Sequence, residues 1–322
     1  MRIAVIGAGL FGCHAASILQ DDHEVTLFDR SGKLFSGASG GSQQRLHLGF
    51  HYPRSAATRR EAIQGHQWFH ETYREFLYYF PTNLYAVAKD SMLDFATYCE
   101  IMTAAGLRFT PTSIAPFGDV QGCVAVPEPR VDMPGLASHF ERVLKCDRVT
   151  EEVIGAPPAF DLVIDCTYGQ SDLSQPPGAF YRPAVMLTYR SALEMGLTVM
   201  DGPFFSLFPA GDGLHTLSHV THSHLGRFCR WRDARVRLTQ IDVAEFALLR
   251  RLFEADACRF IPTFREEFQP VGFVASVKTE TSPRDRCCSV SRNGRLLSIC
   301  PAKIGNLGLA DAVIRDEVAK LA

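Results

Sequence analysis

The chain opens on an apolar run, Ile3-Ala4-Val5-Ile6, that breaks into Gly7-Ala8-Gly9-Leu10-Phe11-Gly12. A helix rich in small residues follows, and a second apolar run, Val25-Thr26-Leu27-Phe28, ends in Asp29. Near-continuous runs of this kind suit parallel strands buried on both faces. Helical periodicity returns over 56–80, with Ala62, Trp68, Phe69, Tyr73, Phe76 and Leu77 on the apolar side. The pattern then predicts a strand at 84–88 and a helix at 92–105 closed by Gly106. Short strands broken by Pro and Gly fill 107–131. A helix is expected over 133–145, with Asp132 as cap and Pro134 in its first turn. Phe160 to Thr167 is another near-continuous run. From residue 184 the pattern alternates. Segments 184–189, 198–201, 204–209, 214–218 and 219–224 read as antiparallel strands, with Gly211-Asp212-Gly213 as a hairpin turn. A helix at 242–255, strands at 268–279 and 296–299, a turn holding Gly305 and Gly308, and a helix at 309–321 complete the series.

Parallel βα units, then antiparallel strands, then βα again predict an α/β fold: a Rossmann-like nucleotide-binding domain carrying an inserted antiparallel sheet. The expected division is 1–80, 130–183 and 285–322 for the first domain, and 81–129 with 184–284 for the second. A length of 322 residues accommodates both. Hydrophobic content of 46% and charged content of 21% are those of a globular protein, and a net charge of −2 gives no field for nucleic acid. No apolar run is long enough to span a bilayer, and Arg2 precedes only a few apolar residues before Gly7, so a cytoplasmic location is expected. The ten cysteines include no CxxC pair, only the adjacent Cys287-Cys288, and read mainly as small core residues.

Strand, glycine turn, helix, strand and acid in this order form a dinucleotide-binding fingerprint. Gly7 permits the tight turn, Gly9 lets backbone approach a pyrophosphate, and Gly12 lets helix and strand pack closely. The helix N-terminus offers N–H groups to phosphate, and Asp29, followed by Arg30, can accept from a ribose diol. The Gly/Ser/Gln-rich stretch at 31–54 is longer than a plain turn needs. Ser39, Gly40 and Ser42 there can cradle phosphate without adding charge. Arg45 can neutralise phosphate or clamp a carboxylate, or face solvent. His47 and His51, spaced i, i+4, are candidate general bases or core-satisfied histidines. His219, His222 and His224, with His215 nearby, make a metal site conceivable, but no carboxylate or Cys stands at ligand spacing, and no metal is expected. If that segment is a strand, His222 and His224 share one face and can meet substrate. Arg182, Tyr189 and Arg190 border the same sheet and can bind an anionic substrate group, with surface pairing as the alternative; Tyr52, in the long loop, reads as packing more than catalysis.

Three blocks resemble FAD-dependent oxidoreductases of the D-amino-acid oxidase type, which include glycine oxidase, sarcosine oxidase and 2-hydroxyglutarate oxidase. They are Gly7–Gly12 with Asp29, the loop from Ser36 to Pro53, and Asp161 to Gly169. The resemblance implies a glutathione-reductase-like fold and non-covalent FAD. It implies cofactor contacts from Gly7, Gly9, Leu10, Phe11, Gly12, Asp29, Arg30, Ser39, Gly40, Ser42, Gln43, Arg45, Thr167 and Gly169. It adds Lys303, Ile304, Gly305 and Asn306, in a turn that departs from the family's Gly-His-Gly pattern. Arg286, before the last strand, is a further nearby cation. The catalytic candidates are His47, His51 and Arg45; the substrate-side candidates are Tyr52, Tyr189, His222 and His224. The implied reaction is oxidation of a C–N or C–O bond of a small amino or hydroxy compound, sugar- or amino-acid-derived or carrier-attached, within a biosynthetic pathway. A flavin monooxygenase, an NAD-dependent dehydrogenase and a non-catalytic nucleotide-binding module are the alternatives.

Overall fold

A computed structural model of the chain describes residues 1–113, 116–281 and 288–321. Arg286 and Cys287 lie outside them. In chain order the elements are β1 (Arg2–Ile6), α1 (Leu10–Leu19), β2 (Glu24–Asp29), α2 (Ala56–Tyr73), β3 (Leu77–Tyr78), β4 (Thr82–Ala88), α3 (Phe95–Ala104), β5 (Thr110–Thr112), β6 (Val120–Ala125), β7 (Arg130–Val131), α4 (Met133–Val143), β8 (Asp147–Thr150) and β9 (Leu162–Asp165). There follow β10 (Phe180–Arg190), β11 (Met195–Met200), β12 (Phe205–Gly211), β13 (Leu214–His219), α5 (Trp231–Thr239), α6 (Val243–Phe260), α7 (Phe264–Glu267), β14 (Gln269–Glu280), β15 (Ser289–Asn293), β16 (Leu296–Cys300) and α8 (Leu307–Ala319).

Two sheets dominate. The first has the order β15-β16-β9-β1-β2-β8 and is parallel except at its β15 edge. Its apolar runs are buried on both faces, against a core that takes side chains from α1, α2, α4 and α8. The second has the order β14-β10-β13-β12-β11-β4-β6-β5, antiparallel throughout except for the β11–β4 pair. One face packs on α6 and α7 through Leu249, Phe253, Phe260 and Phe264. The architecture is α/β, as the order of hydrophobic runs implies.

Several boundaries depart from the expected ones. The periodicity over 56–80 continues past the end of α2, because Arg74–Phe76 tighten into a 3-10 turn and Leu77–Tyr78 pair with Arg130–Val131. Helix α3 begins at Phe95, where the Asp94 carboxylate accepts from Thr97 N at 2.9 Å. Asp132 caps α4 through Gly135 N, as expected. Helix α5 carries four arginines or acids on its outer side and shows little apolar periodicity, so it went unseen in the sequence. Segment 219–224 is not a strand. Ser223 N donates to His219 O and His219 N to Ser223 Oγ, which folds it into a tight turn. His222 and His224 therefore do not share a strand face.

Candidate active site

A cavity of about 610 Å³ lies between the carboxyl ends of β1, β2 and β9 and the inner face of the second sheet. Open α/β sheets bind ligands at such strand ends. Gly7, Gly9, Leu10, Phe11, Asp29, Arg30, Ser39, Ser42, Gln43, Thr167, Lys303 and Ile304 line it. Gly12, Gly40, Gly169, Gly305 and Asn306 stand behind the wall. Of these, Asn306 is fully buried, accepts from Ala302 N and Lys303 N, and donates to Glu61, so it shapes the turn that presents Lys303. Asp29 accepts from Ala8 N at 2.8 Å and from Ser31, which fixes the glycine turn beneath it. Ser39 Oγ accepts from Leu10 N at 2.9 Å, so the long loop touches the opening of α1. Gln43 instead ties the loop to the second sheet, donating to Ser206 O at 3.0 Å.

These surfaces fit a dinucleotide. A Cβ at Gly9 would stand only 3.1 Å from Ser39 Oγ, so the wall there is bare backbone. The first turn of α1 contains no acid to repel phosphate. Thr167 Oγ1 is buried at the wall with no protein partner. The donors on offer at this end are mostly uncharged N–H and O–H groups, the chemistry that suits a pyrophosphate.

The far end holds the ionisable groups. The rings of His47 and His51 lie 5.0 Å apart, and Tyr52 meets both edge-on. His47 Nδ1 stands 3.7 Å from Glu128 Oε2. Glu128 is almost fully buried, and it accepts from Leu48 N at 2.7 Å and from Tyr85 O–H at 2.6 Å. Burial alone would raise its carboxyl, but His47, Arg45 and Tyr85 together hold it below the ordinary value. Burial pushes His47 down, against the opposing pull of Glu128. Arg45 faces neither solvent nor the glycine turn. It is buried, with Nη1 donating to Thr198 Oγ1 at 2.6 Å and to Tyr85 at 3.3 Å, and Nη2 to Ser206 Oγ at 2.9 Å. Its guanidinium sits 3.9 Å over the Phe208 ring. Lys303 Nζ lies 3.4 Å from Glu61 and 5.3 Å over the Tyr52 ring.

Among the other candidates, Tyr52 and His224 line the cavity, whereas Tyr189 and His222 do not. Tyr189 packs on Phe264, and its O–H reaches Glu254. His222 stacks on His219 at 4.3 Å, and both Nε2 atoms approach Asp256 Oδ2, at 3.1 and 3.0 Å. A carboxylate therefore does join these histidines, from α6. His219 Nδ1 accepts from Thr221 N and His222 N, which places its proton on Nε2, facing Asp256. That tautomer suits a hydrogen-bonded trio and leaves Nε2 no lone pair for a metal.

Burial, with His222 beside it, lowers His219 to about 4. The unfolded chain titrates near 6.5, so between these values it binds more protons than the native state. Stability is then lost as pH falls from 6.5 toward 4. His47, His66 and His215, also lowered, add to the same slope. His219→Gln is expected to flatten part of that decline in a series of melting temperatures against pH; an unchanged slope would remove His219 from the account.

The fold and its cavity are those of a dinucleotide-dependent enzyme. Residues 2–150 match the DAO family, FAD dependent oxidoreductase. The chain is 35% identical over 330 residues to the FAD-dependent monooxygenase FPY4 of Fusarium mangiferae, covering 96% of this chain and 88% of that one. It is 26% identical to the FAD-dependent monooxygenase kojA of Aspergillus flavus, covering 95% and 83%. Among solved structures, glycine oxidase from Geobacillus kaustophilus superposes with a TM-score of 0.69 at 12% identity, over 97% of this chain and 92% of that one. NikD, described as an unusual amino acid oxidase essential for nikkomycin biosynthesis, gives 0.72 at 14%, over 98% and 92%. The chain belongs to the DAO family of FAD-dependent oxidoreductases, and its cofactor is FAD. No helix among the described residues is long and apolar enough to cross a membrane.

Proposed function

We propose that the protein oxidises a C–O or C–N bond of a small hydroxy or amino compound, with His47 as the base. One observation carries this reading: an imidazole at the cavity wall is backed on its Nδ1 side by a buried carboxylate, Glu128. That arrangement orients Nδ1–H toward Glu128 and leaves Nε2, across the ring, to take a substrate proton. The glycine turn, Asp29, Ser39 and Thr167 would hold the ADP half of FAD, and Lys303 with Ile304 would stand toward its ring. Bound FAD supplies the two-electron acceptor. Lys303 adds a cation at that end, and the second sheet closes the cavity from water. Glu128 is a positioning residue in this scheme, because its contacts are with His47, Tyr85 and the loop backbone.

A second reading, oxygen insertion, is favoured by the fungal relatives, which are named FAD-dependent monooxygenases. One experiment separates them. The purified protein is expected to be yellow, to release FAD on denaturation, and to bleach without oxygen or nicotinamide when mixed with a substrate from a panel of alcohols, hydroxy acids and amines. Bleaching by NADPH alone would favour insertion; a colourless protein that binds NAD would overturn both.

A further inference from the structure

We propose that Tyr85 is a positioning residue whose hydroxyl carries the Arg45 charge to Glu128, and so sets how tightly the His47–Glu128 pair holds a proton. This rests on the reading of His47 as the base and adds what fixes the basicity of its ring.

Tyr85 and Glu128 stand behind the cavity wall, whereas His47 and Arg45 form part of it. Tyr85 is fully buried on β4, opposite Thr198 of β11. Its ring packs on Phe50 at 5.9 Å, and the Arg45 guanidinium lies 5.7 Å over it. The hydroxyl accepts from Arg45 Nη1 at 3.3 Å and donates to Glu128 Oε2 at 2.6 Å. Glu128 is held in place, because its carbonyl accepts from Asn83 Nδ2 at 2.8 Å and its Oε1 from Leu48 N at 2.7 Å. Oε2 is also the oxygen that faces His47 Nδ1, at 3.7 Å. One carboxylate oxygen is thus shared between a phenol on one side and an imidazole on the other.

A short phenol–carboxylate bond is strong, and a cation on the phenol oxygen strengthens it further. It draws negative charge off Oε2. His47 then faces an anion that orients its Nδ1–H without closing to hydrogen-bond distance. A base needs this balance: enough affinity to take a proton, and little enough to release it. Without the hydroxyl, the buried Oε2 would lack a donor. The pair would make good the loss by holding its proton more tightly, on either member, so its midpoint would rise. The other groups that face the pair are Arg45, His51 and Tyr52 from the loop, Tyr98 from α3, His66 from α2 and Lys303 from the turn after β16. Arg45 and Lys303 oppose a proton there. Tyr98 gives its hydroxyl to Phe50 O at 3.0 Å, and not to Glu128.

The test is an NMR pH titration of the FAD-loaded protein carrying ring-labelled histidine. The His47 signal is identified by its absence from His47→Gln. Tyr85→Phe is expected to tighten proton binding by the pair about tenfold, the scale of one hydrogen bond to a charged group, and so to raise its midpoint by about one pH unit. Tyr98→Phe is the structural control. It removes a buried hydroxyl from the same core, and is expected to lower the melting temperature without moving the midpoint. Replacing Tyr85 by 3-fluorotyrosine keeps the ring and the hydroxyl but makes a stronger donor. It is expected to lower the midpoint, by about twofold in proton affinity, and it decides the matter if Tyr85→Phe fails to fold. A midpoint unmoved in Tyr85→Phe, one raised equally by Tyr98→Phe, or one that 3-fluorotyrosine does not lower overturns the proposal. The midpoint is read without substrate, so the failure of His47 as the base would show separately, in the bleaching of His47→Ala.

Discussion

Gly12→Ala is expected to yield protein that holds no FAD and accumulates poorly as soluble material. An added Cβ at position 12 would stand 1.8 Å from Gly7 O and 3.0 Å from Gly7 C. Neither side can give. Gly7 N is bonded to Phe28 O at 2.7 Å, and α1 lies on a core with no slack, where Cys13, Ala15 and Ala16 are fully buried. Overpacking of this kind ordinarily costs about 1–3 kcal/mol, and a backbone collision exceeds that range. The glycine turn also shapes the phosphate end of the cavity, so cofactor and stability should fall together. FAD released per mole of chain and the melting temperature measure both. Gly37→Ala is the control, because nothing lies within 4 Å of its added Cβ. A Gly12→Ala protein with full FAD and an unchanged melting temperature would show that the close approach is dispensable.

His47→Ala is expected to slow substrate-driven flavin reduction by about 10²–10⁴-fold, the usual contribution of a positioned base, while leaving FAD bound. The pH dependence carries the same signature. Burial lowers His47, so the neutral, proton-accepting form persists below pH 6.5. The wild-type reduction rate should stay level as pH falls through 6.5 and decline only at lower pH. Stopped-flow bleaching across pH reads both effects. A rate unchanged in His47→Ala, with the fall still centred on 6.5, would move the base elsewhere. His51→Ala is the informative neighbour, since its ring packs on His47 and its loss loosens that ring without removing it.

The first half of the chain was largely legible because its signals are local. A buried parallel strand reads as a continuous run, and the glycine turn needs no distant partner to be recognised. The second sheet was legible from alternation and one hairpin turn. The chemistry at its inner face was not. Glu128 is a single carboxylate between Pro127 and Pro129, with nothing in its spacing to mark it, and Tyr85 reaches it across 43 residues. Asp256 completes the histidine cluster from a helix 34 residues beyond His222. Arg45 was visible as a cation, but its burial under Thr198 and Ser206 depends on pairing between β11 and β12, which no local pattern encodes. His222 was misplaced because the turn at 219–224, held by two hydrogen bonds between His219 and Ser223, looks like strand in sequence, and Tyr189 because its strand turns it onto Phe264 of α7 instead of the cavity.

The strand order of the first sheet also fixes a sequence of assembly. Its neighbours β1, β9 and β16 come from the beginning, middle and end of the chain, and Gly65 on α2 rests against the Gly305 backbone, 240 residues later. The second sheet is complete once Glu280 has been made. During synthesis, therefore, β8, β2, β1 and β9 can pair before the second sheet is finished, but the outer edge of β9 stays open until β16 is made and docks on it. The nascent chain carries half of a nucleotide cleft through most of its translation, with apolar strand edges uncovered, and this is the interval in which chaperone capture and misassembly compete with folding.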